Sequence, residues 1–340
     1  MTHPSRALAP VFTLQQRRRW FKALAVVACT SIACAPAFSQ QSAGKTVRLV
    51  VPYTPGGSTD AAARIAAQFL AKELGTNVIV ENKPGANTII ATQYVAGAPS
   101  DGSIALIGGT ASMTSNPYLY RRLPYDTEKA FVPVGMVSRM PFVMVVSSQS
   151  KFSSVREFVT AAKAAPAPLR YGSAGNGNPT HLAGALFSQA TGVSLQQIPY
   201  QGSAPSISAL LAGDTEVNFE VLSTALPHIR AGKLRALAVM SLQRNAKLPE
   251  IPTLEELGLA GLDISTSFAV VLPAATPVDV QKRLHDAVVA ATSKPDFAQA
   301  LDVLALEPYP PMSQADTVAL FAKERARWKK VIQANSISLD

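Results

Sequence analysis

Cysteine is almost missing from this chain: two residues in 340, Cys29 and Cys34, and both fall within the first forty positions. If that stretch is removed on export, what remains has no disulfide, no thiolate nucleophile and no cysteine-based metal site. Charge is sparse as well, at 16% of residues, and no Arg/Lys stripe interleaved with aromatics occurs, which sets nucleic-acid binding aside. No apolar run reaches the roughly 18 residues that a membrane span requires. Enzyme signatures are missing too: there is no G-x-S-x-G elbow, no Walker A loop and no H-E-x-x-H. Histidine is rare. Beyond the N-terminal segment only His181, His228 and His285 remain, and none has a second ligand at helical metal spacing. No cofactor or metal is expected.

What the N-terminus does have is the layout of a secretory leader. Arg17, Arg18, Arg19 and Lys22 precede the apolar stretch 23–35, and AFSQQ follows. A basic region, a short apolar region and small residues before a cut define a cleavable signal peptide. Residues 1–39 are read as that leader, cut after Ser39, with a cut after Ala37 as the alternative. Its five basic residues (Arg6 is the fifth) and lack of acids account for much of the net charge of +9, leaving +4. Arg18-Arg19-Trp20-Phe21-Lys22 resembles a twin-arginine signal, and Val26-Val27-Ala28-Cys29 resembles a lipoprotein box after too short an apolar run. Sec export of a soluble, monomeric protein to the periplasm is the reading taken, with twin-arginine export as the alternative.

From Thr46 onward, strand and helix signals alternate, which argues for parallel sheets with crossover helices. TVRLVV reads as a strand, Ala61–Leu74 as a helix capped by Ser58, Thr59 or Asp60 and closed by Gly75, and NVIVEN and SIALIG as further strands. After the β-rich passage VPVGMVSRMPFVMVVSS the pattern restarts. A helix at Ser153–Ala164 leads to the strand LRYGS, a helix from Pro179, and the strands QQIPY, TEVNFE and KLRALAVMS. A third region holds the strand SFAVVLP and three helices, and sequence alone does not say which sheet it joins.

Two glycine-rich turns of one design stand about 120 residues apart, VPYTPGGSTDAAAR and LRYGSAGNGNPTHLAGALF. Each follows a short strand and leads into an alanine-rich helix. The first turn of a helix has N–H groups without intrahelical partners, and the macrodipole adds partial positive charge there. Glycine lets the backbone curl so that such groups converge on one anion. In the first loop Pro55 fixes the turn, Gly56 and Gly57 free the N–H groups, Ser58 and Thr59 supply hydroxyls, and Asp60 accepts from N–H groups at the helix start. The second offers three glycines and two asparagines ahead of Pro179. Each loop alone could be a structural turn; the pair suggests a site for carboxylates. Ser173 and His181 share the second loop and could serve as nucleophile and base. The plainer reading is a serine bonding a ligand and a histidine packing behind the loop.

With these blocks, the chain resembles the substrate-binding components of tripartite tricarboxylate transporters, the Bug family of periplasmic receptors. The resemblance covers essentially the whole chain after the leader. It rests on VRLVVPYTPGGSTDAAAR, VIVENKPGAN, GTASMTSNPYLYRRLPYD, YGSAGNGNPTHLAGALF, IPYQGSAPSISALLAGDTEVNFE, TALPHIRAGKLRALAV and LPEIPTLEELG. It implies an α/β fold of the type II periplasmic-binding-protein (Venus flytrap) kind, two α/β domains with a ligand cleft between them. Residues 45–144 plus 268–340 would form one domain and 145–267 the other.

The resemblance further implies that a ligand carboxylate is held by loop backbone groups, hydroxyls and water. That places Tyr53, Thr54, Gly56, Gly57, Ser58, Thr59 and Asp60 opposite Ser173, Ala174, Gly175, Asn176, Gly177, Asn178, Thr180 and His181, with Thr110 and Ala111 lining the same cleft. Two positions depart from the family pattern, Gln201 where lysine is common and Glu220 where aspartate is common. Both bear on the distal end of the cleft; Glu220 could equally cap the helix near Ser223. A Glu220 that faced the cleft, together with Gln201 in place of lysine, would favour a ligand with one carboxylate and a neutral or donor group opposite. The function implied is capture of a small carboxylate for membrane permease subunits, without catalysis. Alternatives are a receptor that senses a ligand for a signalling partner and, further off, an exported hydrolase using Ser173 and His181.

Overall fold

The computed structural model describes residues 45–339; the leader read at residues 1–39 lies outside them. The first half begins with β1 (Val47–Val51), α1 (Ser58–Leu74), β2 (Val78–Asn82), α2 (Ile89–Ala96) and β3 (Ile104–Gly109). A wide helical turn at Ala111–Ser115, α3 (Asn116–Leu119) and α4 (Thr127–Ala130) lead into β4 (Phe131–Ser147). The second half comprises α5 (Val155–Ala164), β5 (Leu169–Ser173), α6 (Pro179–Thr191), β6 (Leu195–Pro199), α7 (Ser203–Ala212), β7 (Val217–Val221), α8 (Leu222–Arg230) and β8 (Leu234–Val239). The chain then closes with β9 (Ser265–Pro273), α9 (Val278–Thr292), α10 (Pro295–Val303), β10 (Glu307–Pro308) and α11 (Gln314–Ala334).

The β-rich passage is one strand of 17 residues, β4, and it serves two sheets. Its first part, Phe131 to Pro141, pairs antiparallel with β9. From Phe142 onward it pairs antiparallel with β7 and β8 instead. The first sheet adds the parallel set β2-β1-β3 beyond β9, and the second adds β5 and β6, parallel to each other, beyond β7. The third region therefore joins the first sheet through β9.

Alternation along the strands decides which core each residue enters. In β4, Phe142, Met144 and Val146 join a core with Phe158, Tyr171, Phe187 and Phe219, while Val143 and Val145 face Ile207, Leu210 and Leu226. In β1, Val47, Leu49 and Val51 pack with Ala62, Ala66 and Leu70 of α1, and Val50 faces Ala91, Leu106 and Met113. Strands buried on both faces explain the near-continuous apolar runs seen in the sequence.

Helix α11 belongs to both halves. Phe321 packs in a core of the first sheet, whereas Trp328, Val331 and Ile332 pack in the aromatic core of the second. Trp328 is 1% exposed. Replacing it with alanine should cost about 3–5 kcal/mol, the usual loss for a large buried aromatic. Urea unfolding of Trp328→Ala checks this; a loss below 1 kcal/mol would show that α11 is not integral to the second core.

Candidate functional site

Both glycine loops sit at the C-terminal ends of parallel strands, β1 and β5, where α/β sheets place ligands. Between them lies a cavity of about 450 Å³. Its wall takes Pro52, Tyr53 and Thr54 from the first loop, Pro84, Gly85, Asn87 and Thr88 from the turn after β2, Ala174, Gly175, Asn176 and Asn178 from the second loop, and Pro199, Tyr200 and Gln201 from the turn after β6. None of these side chains is charged. An anion here would be met by dipoles alone, as the sequence suggested for the loops.

The two loops are built differently. In the first, α1 starts one turn earlier than the sequence suggested, with Gly57 as N-cap and no side-chain cap. Asp60 closes the loop: its Oδ2 accepts from the Gly56 N–H at 2.9 Å and from Arg64 Nε at 2.9 Å, and its Oδ1 accepts from Asn82 Nδ2 at 2.9 Å. Asp60 is 3% exposed and fully engaged, so it shapes the loop. Burial alone would raise its pKa, yet the Arg64 hydrogen bond, the Gly56 amide and Asn82 together hold it below the usual 3.8. Gly56 adopts φ +83°, open to glycine and strained for other residues. The tip is exposed, and the first-turn N–H groups of α1 have no intrahelical acceptor.

The second loop satisfies itself. The Ala174 N–H donates to Thr180 Oγ1 (2.8 Å), the Thr180 N–H to Asn178 Oδ1 (3.0 Å), and the Gly177 N–H to His181 Nδ1 (3.0 Å). Thus Asn178 is the N-cap of α6, and His181 is an acceptor behind the loop, its pKa pushed down to about 4 by burial. Ser173 is fully buried and its Oγ accepts from Gln197 Nε2 at 2.7 Å. Among the described residues, the His181 and Ser173 side chains bond other groups and not each other. Loop rigidity here comes from side chains that spend their donors and acceptors on the backbone.

Across the cleft, Ser58 Oγ and Ser223 Oγ lie 2.7 Å apart, joining the start of α1 to the start of α8. Thr59 is buried just inside α1. Thr110 and Ala111 are also buried, and Thr110 borders a separate cavity of about 150 Å³ with Arg139, Asp263 and Tyr309. Gln201 does border the loop cavity; Glu220 does not. Glu220 lies in β7 opposite Val143, with no exposed surface. Its Oε2 accepts from Thr224 Oγ1 at 3.3 Å, and its Oε1 has no partner among the described residues. Burial pushes its pKa up to about 7, only partly offset by the hydroxyls of Ser203, Thr224 and Ser206 and the Val221 amide. Of the two grounds for expecting a ligand with one carboxylate, Gln201 in place of lysine borders the cavity and Glu220 does not.

Sequence reading passed over Pro52, Pro84, Gly85, Asn87, Thr88, Pro199 and Tyr200. The signal exists in part: Pro84-Gly85 reads as a turn and QQIPY as a strand, and β2 and β6 each run parallel to the strand before a glycine loop, so their C-terminal ends lie beside it.

A sequence model of the tripartite tricarboxylate transporter family receptor matches residues 62–337. The chain belongs to that family. A UPF0065 protein from the tcbD–tcbE intergenic region of Pseudomonas sp. strain P51 is 37% identical over 291 residues, 85% of each chain. Among solved structures, R. palustris Rpa4515 with adipate superposes with a TM-score of 0.80 at 33% identity, covering 86% of this chain and 98% of that one. MatC from Rhodopseudomonas palustris with bound malate gives 0.76 at 28% identity, over 84% and 98%. The fold is thus that of periplasmic binding proteins of this family, two α/β domains around a binding cleft.

The two buried acids should titrate in opposite senses. The folded-state pKa of Asp60 is depressed, so its stabilisation is present above 3.8 and is lost as pH falls through the folded value. Asp60→Asn should therefore cost about 2 kcal/mol at pH 7 and progressively less below pH 4. The folded-state pKa of Glu220 is raised from 4.5 to about 7, so the stability it contributes is complete below 4.5 and falls as pH rises to 7. Glu220→Gln should gain on wild type across that window and hold its gain above it. Urea unfolding from pH 3 to 8 tests both; parallel wild-type and variant curves would refute the assignments.

Proposed function

We propose that this protein is an exported solute receptor that captures a small carboxylate-containing molecule between its glycine loops. It delivers that molecule to the integral-membrane permease subunits of a tripartite tricarboxylate-type transporter, and performs no chemistry on it. The observation that carries this reading is the cavity bordered by loops from both sheets, polar yet without a charged side chain. The N-termini of α1 and α6, which follow the two loops, supply partial positive charge for an anion. Family membership and the adipate and malate bound to relatives support the carboxylate.

In this reading residues 45–141 with 265–340 form one domain and 142–264 the other, since β4 changes sheets after Pro141 and β9 pairs with the first sheet from Ser265, three residues from the bounds of 144 and 268 expected from the sequence. Tyr53, Thr54, Gly56, Gly57 and Ser58 contact the ligand from the first, and Ala174, Gly175, Asn176, Asn178 and Gln201 from the second. The leader sends a monomeric protein to the periplasm, where the permease is reached.

Thermal unfolding with adipate, malate and matched monocarboxylates tests the reading. At about 100 times its dissociation constant a ligand adds roughly 2.7 kcal/mol, a rise of several degrees in Tm. Gly57 has φ −78° and a Cβ there would meet nothing nearer than Thr54 O at 3.7 Å, so the fold accepts a side chain. Gly57→Val should keep the fold and lose the shift, because a branched side chain blocks the amides of the first turn. An undiminished shift in that variant would sink the backbone cradle.

A further inference from the structure

Three consecutive residues that are not glycine, Ala86, Asn87 and Thr88, have positive φ, at 45°, 47° and 77°. Left-handed backbone crowds Cβ against the following carbonyl; asparagine tolerates it, while a β-branched threonine is a genuine outlier. Such a run persists only where its surroundings over-determine it. Thr92 Oγ1 donates to the Thr88 carbonyl at 2.9 Å from the following helical turn, and one distant side chain makes the remaining bonds. Asn116 Oδ1 accepts from Asn87 Nδ2 at 2.9 Å, and Asn116 Nδ2 donates to the Asn87 carbonyl at 2.7 Å and to Thr88 Oγ1 at 3.2 Å. Asn116 is completely buried, and its own N–H is fixed by the Ala111 carbonyl of the wide turn that follows β3.

The strained run is a wall of the ligand cavity, through Asn87 and Thr88, with Gly85 just before it. It also meets the other half of the molecule. A Cβ at Gly177 would lie 2.9 Å from Asn87 Nδ2, so the second glycine loop comes as close to Asn87 as only glycine permits. The turn after β2 is thus held from one side by Asn116 and touches the second loop on the other.

We infer that Asn116 is a positioning residue: its amide holds Ala86–Thr88 left-handed and so presents Asn87 and Thr88 to the cavity and to Gly177. The effect on affinity rests on the ligand reading above; the effect on the turn does not.

The test uses Asn116→Asp, which keeps the volume and the acceptor for Asn87 but loses the donor to the Asn87 carbonyl and Thr88. Amide hydrogen exchange of residues 84–92 is measured without ligand, and the dissociation constant is measured for adipate or malate, whichever stabilises wild type. Asn116→Asp should speed exchange and weaken binding by about tenfold each, what releasing one left-handed residue amounts to. Adding Ala86→Gly and Thr88→Gly should return both to within about threefold, because glycine takes positive φ unaided. Unchanged exchange, or no recovery by the glycines in a folded variant, overturns the inference. Should Asn116→Asp fail to fold, Ala86→Gly alone decides: relief of strain at this exposed position raises Tm, and a fall in Tm overturns it. If neither these diacids nor the matched monocarboxylates stabilise wild type, the ligand reading fails while the exchange measurement still judges the clamp.

Discussion

The architecture depends on one strand changing partners. At Pro141–Phe142, β4 leaves β9 and takes up β7 and β8. The same backbone hydrogen-bonding capacity thereby serves two sheets, and each side of the switch is buried on both faces. Strand pairing is directional and obligatory for buried N–H and C=O groups. The handover therefore fixes where the second sheet stands relative to the first, and with it the separation of the two glycine loops. Proline at the handover carries no N–H, so no donor is stranded as the ladder changes sides.

In the proposed reading the two loops would meet an anion in different ways. The second is a finished object, its amides already bonded to Thr180, Asn178 and His181, so it offers shape and a few polar tips. The first keeps its helix end open, with Asp60 tied back by Arg64 and Asn82 so that its charge is spent inside the loop. A carboxylate of the protein pointing outward would repel any anionic ligand; the same carboxylate turned inward tightens the turn. The Asp60 charge is thus compensated within the loop, and an anionic ligand in the cavity would be recognised through hydrogen-bond geometry.

Much of this was legible in the sequence. The strands, most helix spans, Gly75 as a left-handed stop and Asn178 ahead of Pro179 follow from local rules, because periodicity and capping are properties of neighbouring residues. What was not legible depends on distant partners. That VPVGMVSRMPFVMVVSS is one strand in two sheets is set by β7, β8 and β9. That Thr110 turns to a different cavity is set by the packing of α11 and β9 around it. Glu220 could be read as a cap or as a ligand contact, and burial beside Ser203 and Ser206 was invisible from its neighbours. The left-handed run at Ala86–Thr88 goes against local preference at Ala86 and Thr88, and its bonds to Asn116, some thirty positions on, could not be read from its neighbours.

Helix α11 has a spectroscopic consequence. Trp20 falls within the segment read as a leader and Trp328 is the chain's other tryptophan, so cleavage there would leave a single indole. That indole is buried in the second core, on a helix whose earlier turns are seated in the first, with the Arg327 guanidinium 5.7 Å from its ring. Its emission is a one-site optical record of how the two cores sit against each other, free of interference from any other tryptophan and needing no label.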